Sequence, residues 1–158
     1  MKQQPIIGTD LMIFSQLNEG YKAIALSTSC TIDITLDVRE ISSKDSGKWK
    51  ENAGAKLSWS GSTEHLCSGL EKGSSYDLLL KKMTDREAVP IHFTVAENAD
   101  GDLGVPEGGW IPKKGEGVKG MAIITQLSMN APDNENATMS ISLTGTGPLK
   151  PDADGSEV

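Results

Sequence analysis

Hydrophobic and polar residues alternate with a period of two along several stretches of this chain, and each such stretch predicts a half-buried β-strand. In KAIALSTSCTIDITL, from Lys22 to Leu36, the residues Cys30, Ile32, Ile34 and Leu36 fall on one side, and Thr31, Asp33, Thr35 and Asp37 on the other. A polar, glycine-bearing stretch, ISSKDSGKWKENAGAK, follows from Ile41 to Lys56 before LSWSGSTEHL resumes the alternation at Leu57. This loop, 41–56, is longer than a tight hairpin needs, and loops of that length inside a compact domain usually carry function. Two more strands close the chain. VKGMAIITQLSM offers Ile123, Leu127 and Met129 on one face, and ATMSISLTGTG offers Ala137, Met139, Ile141 and Leu143. Between them, APDNEN is turn chemistry, because Pro132 presets φ while Asp133 and Asn134 tolerate left-handed geometry.

A single stretch changes period. Tyr76, Leu79, Leu80 and Met83 fall at i, i+3, i+4 and i+7, which predicts a helix. Ser74 or Ser75 caps it, Asp77 suits its first turn, and Lys81 with Lys82 suits its last. VPIHFTV, from Val89, reads as a short strand in which Pro90 marks an edge or a strand start. ENADGDLGVPEGGWIPKKGEG, 97–117, is dense in Gly, Pro and acid and reads as an exposed loop or mobile insert. PLKPDADGSEV makes 149–158 a flexible polar tail. The elements add up to a mainly β fold, an antiparallel β-sandwich or barrel with one flanking α-helix and long loops, in one domain over 1–148.

Composition narrows the picture. At 158 residues the chain is long enough for one domain with a real core, and with 4% aromatic residues that core is aliphatic. No apolar run approaches the roughly 18 residues of a membrane span, and the N-terminus lacks the apolar segment and cleavage site of a secretory signal. A membrane partner is therefore not expected, and synthesis in the cytoplasm is. The formal charge of −7 opposes tight binding to nucleic acid, which relies on Lys and Arg replacing counterions. Cys30 and Cys67 are too few for a disulfide scaffold, and reduced thiols are expected.

Candidate chemistry is sparse. In the 130–149 stretch, Asp133 and Glu135 lack the spacing and glycine of a calcium loop, and Asn136-Ala137-Thr138 matches a glycosylation sequon without a secretory route. Asp152, Asp154 and Glu157 around Gly155 miss the metal-loop spacing as well. His65, Cys67 and His92 supply zinc-type donors without a paired motif, so a metal-dependent enzyme built on them is the weakest reading. No nucleophile elbow, phosphate loop or dinucleotide fingerprint occurs, and Asp100 with Asp102 sits in a loop that implies no pocket. No cofactor, metal or catalytic residue is assigned.

The residues KAIALSTSCTIDI, ISSKDSGKWKE and LSMNAPDNENATMSISLTGTGPL, in this order, resemble the major tail tube protein of tailed bacteriophages. The likeness extends through most of the chain: an N-terminal DLMIF segment, the first alternating strand, the SSKDSG loop, a strand at Trp59, the YDLL helix and a closing hairpin ending in GTG. It implies a structural subunit without catalysis, six copies of which join their sheets into a ring. Stacked rings would form a tube through which DNA passes without specific binding. The partners implied are further copies of the chain, tape measure and tail terminator or baseplate proteins, and a sheath where the tail contracts. The implied location is the virion tail, with assembly in the host cytoplasm.

The resemblance also implies that the loop after the first strands reaches a neighbouring subunit, which assigns interface roles to Ser42, Ser43, Lys44, Asp45, Trp49, Lys50 and Glu51. Trp49, an aromatic in a polar loop, has the character of an interface anchor. Thr31, Asp33, Thr35 and Asp37 would present hydroxyls and like charge to a polyanion in the channel; the same row is equally the solvated face of an antiparallel sheet. A second reading from another class is a carbohydrate- or receptor-binding β-sandwich module, with Trp110 beside Gly108 and Gly109 as its stacking platform.

Overall fold

The computed structural model describes residues 5, 11–18, 20–23, 27–67, 70, 75–97 and 110–152. Seven strands and one α-helix occur among them: β1 (Leu11–Asn18), β2 (Gly20–Ala23), β3 (Ser27–Glu40), β4 (Asn52–Leu66), α1 (Ser75–Thr84), β5 (Ala88–Val95), β6 (Val118–Asn130) and β7 (Thr138–Pro151). All seven strands belong to one antiparallel sheet in the order β2-β1-β5-β6-β7-β4-β3. The expected mainly β architecture with one helix is present. In place of two separately bonded sheets there is one, and its outer strands β2 and β3 are not paired to each other among the described residues. The sheet curls so that β1 lies against β3 and β4: a methyl added at Gly61 would sit 3.8 Å from Ile13 Cδ1.

One face of the curled sheet forms the core. Ile13, Trp59, Val89, Ile91, Ala122, Ile124, Met139, Ile141 and Leu143 bury there together with Leu79 from α1. Burying side chains of this size contributes about 1.5–3 kcal/mol each. Tyr76 and Met83 pack half-buried beside Leu79, but Leu80, expected on the same stripe, is exposed. Alternation also misplaces part of β6. Ala122 and Ile124 are buried while Ile123 is exposed, because a bulge between Ile124 and Gln126 shifts the phase. Beyond it, Leu127 and Met129 register with Ile141 and Met139 on the core face.

Other boundaries move for local reasons. The expected strand from Lys22 divides into β2 and β3, with 24–26 outside the described residues. β4 begins at Asn52 rather than Leu57: Leu36 pairs with Leu57 but Val38 pairs with Gly54, so a bulge at Ala55–Lys56 interrupts the alternation without ending the strand. The loop of 41–56 contracts to 41–51. β5 is an interior strand, and Pro90 lies at its start, before pairing with β1 begins at Ile91. Asn134 adopts φ 58° in the β6–β7 turn, so the amide-rich stretch is a turn. The tail begins later than residue 149, because Leu149 to Pro151 extend β7 and Asp152 is buried; 153–158 lie outside the described residues.

Trp59 marks where β4 leaves the core. Its indole lies across β7 onto β6, over positions with no side chain: a Cβ at Gly145 would fall 2.1 Å from the ring, and one at Gly120 2.7 Å from it. Its Nε1 donates to the Gly147 carbonyl at 3.3 Å. Gly145→Ala is expected to lower stability by about 1–3 kcal/mol by displacing the indole, seen as a lower urea midpoint. Gly54→Ala, whose methyl meets Leu36 at an ordinary 3.5 Å, is expected to change the midpoint little.

Candidate assembly surfaces

The outer halves of β3 and β4 form a hairpin arm that projects from the body. From Asp33 to Ser58 every residue is exposed except Ser46 and Ala53, which are half-buried. Such exposure on both faces of a two-stranded ribbon means that nothing among the described residues covers either side. One side continues the core stripe outward: Ile34, Leu36 and Val38 on β3 and Leu57 on β4 are 51–73% exposed. Contiguous apolar surface of this kind marks an interaction site.

The other face is a field of hydroxyls. Thr31, Asp33, Thr35 and Asp37 are all exposed, and the register extends their row across the sheet. Thr31 pairs with Ser62, Asp33 with Ser60 and Thr35 with Ser58 on β4; Ser60, Ser62 and Glu64 then pair with Thr144, Ser142 and Ser140 on β7. The sequence carried a signal for this extension, the S-x-S-x-S-x-E spacing from Ser58, but only the register shows that the rows share one face. Three acids and no base lie among these paired positions and Asp37, so the face carries like charge in a hydroxyl background.

At the arm tip, Lys44–Ser46 form one 3₁₀ turn capped by Ser43, whose hydroxyl accepts from the Asp45 N–H at 3.3 Å. Ser42 Oγ accepts from the Glu51 N–H at 2.7 Å, and Ser46 Oγ donates to the Glu51 carboxylate at 2.9 Å. Lys50 reaches Glu40 at 3.0 Å, an exposed pair worth little in stability. The seven loop residues singled out thus sit together at the tip, where Ser42, Ser43, Lys50 and Glu51 have internal structural roles. Trp49 stands out to solvent, 84% exposed. Trp110 is half-buried, anchored near the Ala96–Pro112 bridge, so it is no fully exposed platform; its neighbours Gly108 and Gly109 lie outside the described residues.

A model of the phage tail tube protein family matches residues 8–151. This chain belongs to that family. Among solved structures, the tail tube chain is similar to one from the tail of an empty gene transfer agent particle refined with C6 symmetry, at TM-score 0.67 and 20% identity, over 93% of this chain and 98% of that one. It is similar to the SPP1 tail tube at TM-score 0.62 and 14% identity, over 96% and 82% of the two chains. A chain of the six-fold symmetrised anti-feeding prophage baseplate matches at TM-score 0.62 and 10% identity, over 94% and 96%. Comparison with curated protein sequences finds no match.

In the tail tube chain, the residues weighed as metal ligands are dispersed among structural tasks. No group of three His, Cys, Asp or Glu side chains is placed to hold a metal among the described residues. Cys67 lies past the end of β4, where its N–H donates to the Ala137 carbonyl, and His65 is buried on β4. His92 donates from Nε2 to the Glu116 carbonyl at 2.9 Å and lies 3.7 Å from Asp152. The Asp152 carboxylate also accepts the Gly115 N–H at 2.9 Å and faces Lys119 at 3.5 Å. Expected in a polar tail, Asp152 instead fastens the end of β7 to the turn before β6.

Burial holds the imidazoles of His65 and His92 below the ordinary histidine range. Burial also pushes the Asp152 carboxyl up, but the Gly115 N–H, Lys119 and His92 outweigh it and leave the group below its ordinary value. In all three cases the unfolded chain binds protons that the fold refuses, so the associated stability is present at high pH and lost as pH falls. The urea midpoint is expected to be flat above about pH 6.5, to decline below it as the histidines take up protons in the unfolded chain, and to fall again below about pH 4. Asp152→Asn is expected to cost about 3 kcal/mol at pH 7 and to remove the most acidic part of this decline.

Proposed function

We propose that this chain is the repeating, non-enzymatic subunit of a tail tube. Copies join into six-membered rings, the rings stack, and DNA passes through the channel without specific binding. The observation that carries this reading is the two-faced arm, apolar on one side and hydroxyl-rich on the other, which nothing among the described residues of its own subunit covers. Six-fold symmetry of the similar structures supports the ring number. The arm tip, Ser42 to Glu51 with Trp49 as its anchor, reaches a neighbouring subunit. The row of Thr31, Asp33, Thr35 and Asp37, extended by the serines of β4, faces the channel, where like charge keeps a polyanion from adhering.

The completed tube belongs to the virion tail, with assembly in the host cytoplasm. Its ends meet tail terminator or baseplate proteins, a tape measure protein occupies the channel before DNA does, and a sheath surrounds the tube where the tail contracts. Structures of a tube-terminating cap and of a sheath–tube complex among the similar folds support such partners.

Negative-stain electron microscopy across a concentration series is expected to show rings or tubes with a central hole. Excising 37–56 and joining Leu36 to Leu57, which are register partners, through an Asn-Gly turn is expected to leave a folded monomer with unchanged circular dichroism and no rings. Loss of the fold in that variant would contradict the independence of the arm from the body. Assembly without the arm would contradict its role as the contact.

A further inference from the structure

Where the arm joins the body, its apolar face opens into a groove of about 410 Å³. Trp59 and Gly145 form its floor, and Ile34, Leu57, Pro148 and Leu149 its sides. The floor is rigid because the indole is wedged over Gly145 and hydrogen-bonded to the Gly147 carbonyl. The sides are open: Ile34 is 59% and Leu57 73% exposed, so no segment among the described residues fills the space. At the other end of the same arm stands Trp49, the most exposed large hydrophobic side chain of the described residues.

The two features cannot meet within one chain. Ile41 lies seven residue steps along the chain from Ile34, about 23 Å at 3.3 Å per residue, and the tip lies beyond. We propose that Trp49 of one copy seats in the groove of the next, between Ile34 and Leu57 and over the edge of Trp59; this pairing rests on the tail tube reading and names the surface that receives the arm. Charge favours the same occupant. The segment from Lys44 to Glu51 carries three lysines against two acids, one of the lysines paired with Glu40, on a chain of net charge −7, so the tip lacks the net negative charge that would repel it from another copy. A knob and a hole at different places on one chain make a heterologous contact, in which each copy gives one Trp49 and accepts one. Such contacts propagate until a rotation closes them into a ring or a stack. An aromatic side chain entering a preformed, largely apolar groove is also the kind of residue that dominates interface energetics.

The test uses the full-length chain with two substitutions at exposed positions, Trp49→Ala, which removes the knob, and Leu57→Glu, which blocks the hole. Both are expected to keep the wild-type circular dichroism and urea midpoint. Sedimentation velocity is expected to show association weakened about a hundredfold for each variant alone. Mixed, the two variants should form 1:1 dimers and nothing larger, because only the intact groove of W49A and the intact tryptophan of L57E remain complementary. If the wild type assembles and either variant assembles equally well, or if the mixture gives no dimer, the pairing is overturned while the tube reading stands. A wild type that stays monomeric at every concentration overturns the tube reading and the pairing with it.

Discussion

The seat of Trp59 on Gly145 and Gly120 is the contact on which the rest of the structure depends. An indole in van der Waals contact with the bare backbone of two neighbouring strands seals the end of the aliphatic core, and its hydrogen bond to the Gly147 carbonyl satisfies the one polar atom it buries. Inward of that point β4 is sandwiched between β3 and β7, with Gly61, Thr63 and His65 turned toward the interior. Outward of it β4 pairs with β3 alone. The same strand is thus a core element for half its length and a free ribbon for the other half.

That division explains how one sheet serves two purposes. A two-stranded ribbon is marginal by itself, and here it is continuous with a seven-stranded sheet, with β3 paired to β4 from Ser27 to Glu40 across two register shifts. The ribbon leaves with its apolar row uncovered and its hydroxyl row facing the other way. A surface with this asymmetry has one side suited to burial against another molecule and one suited to water. In the proposed tube, the first side is the subunit contact and the second faces the lumen.

The opposite end of the sheet solves a different problem. The turn before β6 and the end of β7 lie beside one another, and the buried carboxylate of Asp152 ties the turn at Gly115 to the end of β7 through a backbone N–H and Lys119. Burying charge is unfavourable unless it is well partnered, and here the donors converge on one carboxylate. His92 remains neutral beside it because burial resists protonation and because its Nε2 hydrogen is already directed at the Glu116 carbonyl. This fastening stabilises the body without involving the arm.

Alternation by itself determined the class of the fold, because side chains of adjacent strand residues point to opposite faces and the buried face of an aliphatic sheet must be apolar. Met139, Ile141 and Leu143 were legible for this reason, as were the helix around Leu79 and the polar row from Thr31 to Asp37. What defeats such reading is a bulge. One extra residue in β6 moves the core-facing positions from Ala122 and Ile124 to Leu127 and Met129, and one in β4 conceals the strand from Asn52 to Lys56 as a loop. Sequence periodicity also cannot tell a buried alternating row from an exposed one. Ile32 and Ile34 read alike, yet the first packs on the core and the second lies open. Only the tertiary structure decides between them, because burial depends on which other strands lie across the sheet, and beyond Trp59 there are none among the described residues.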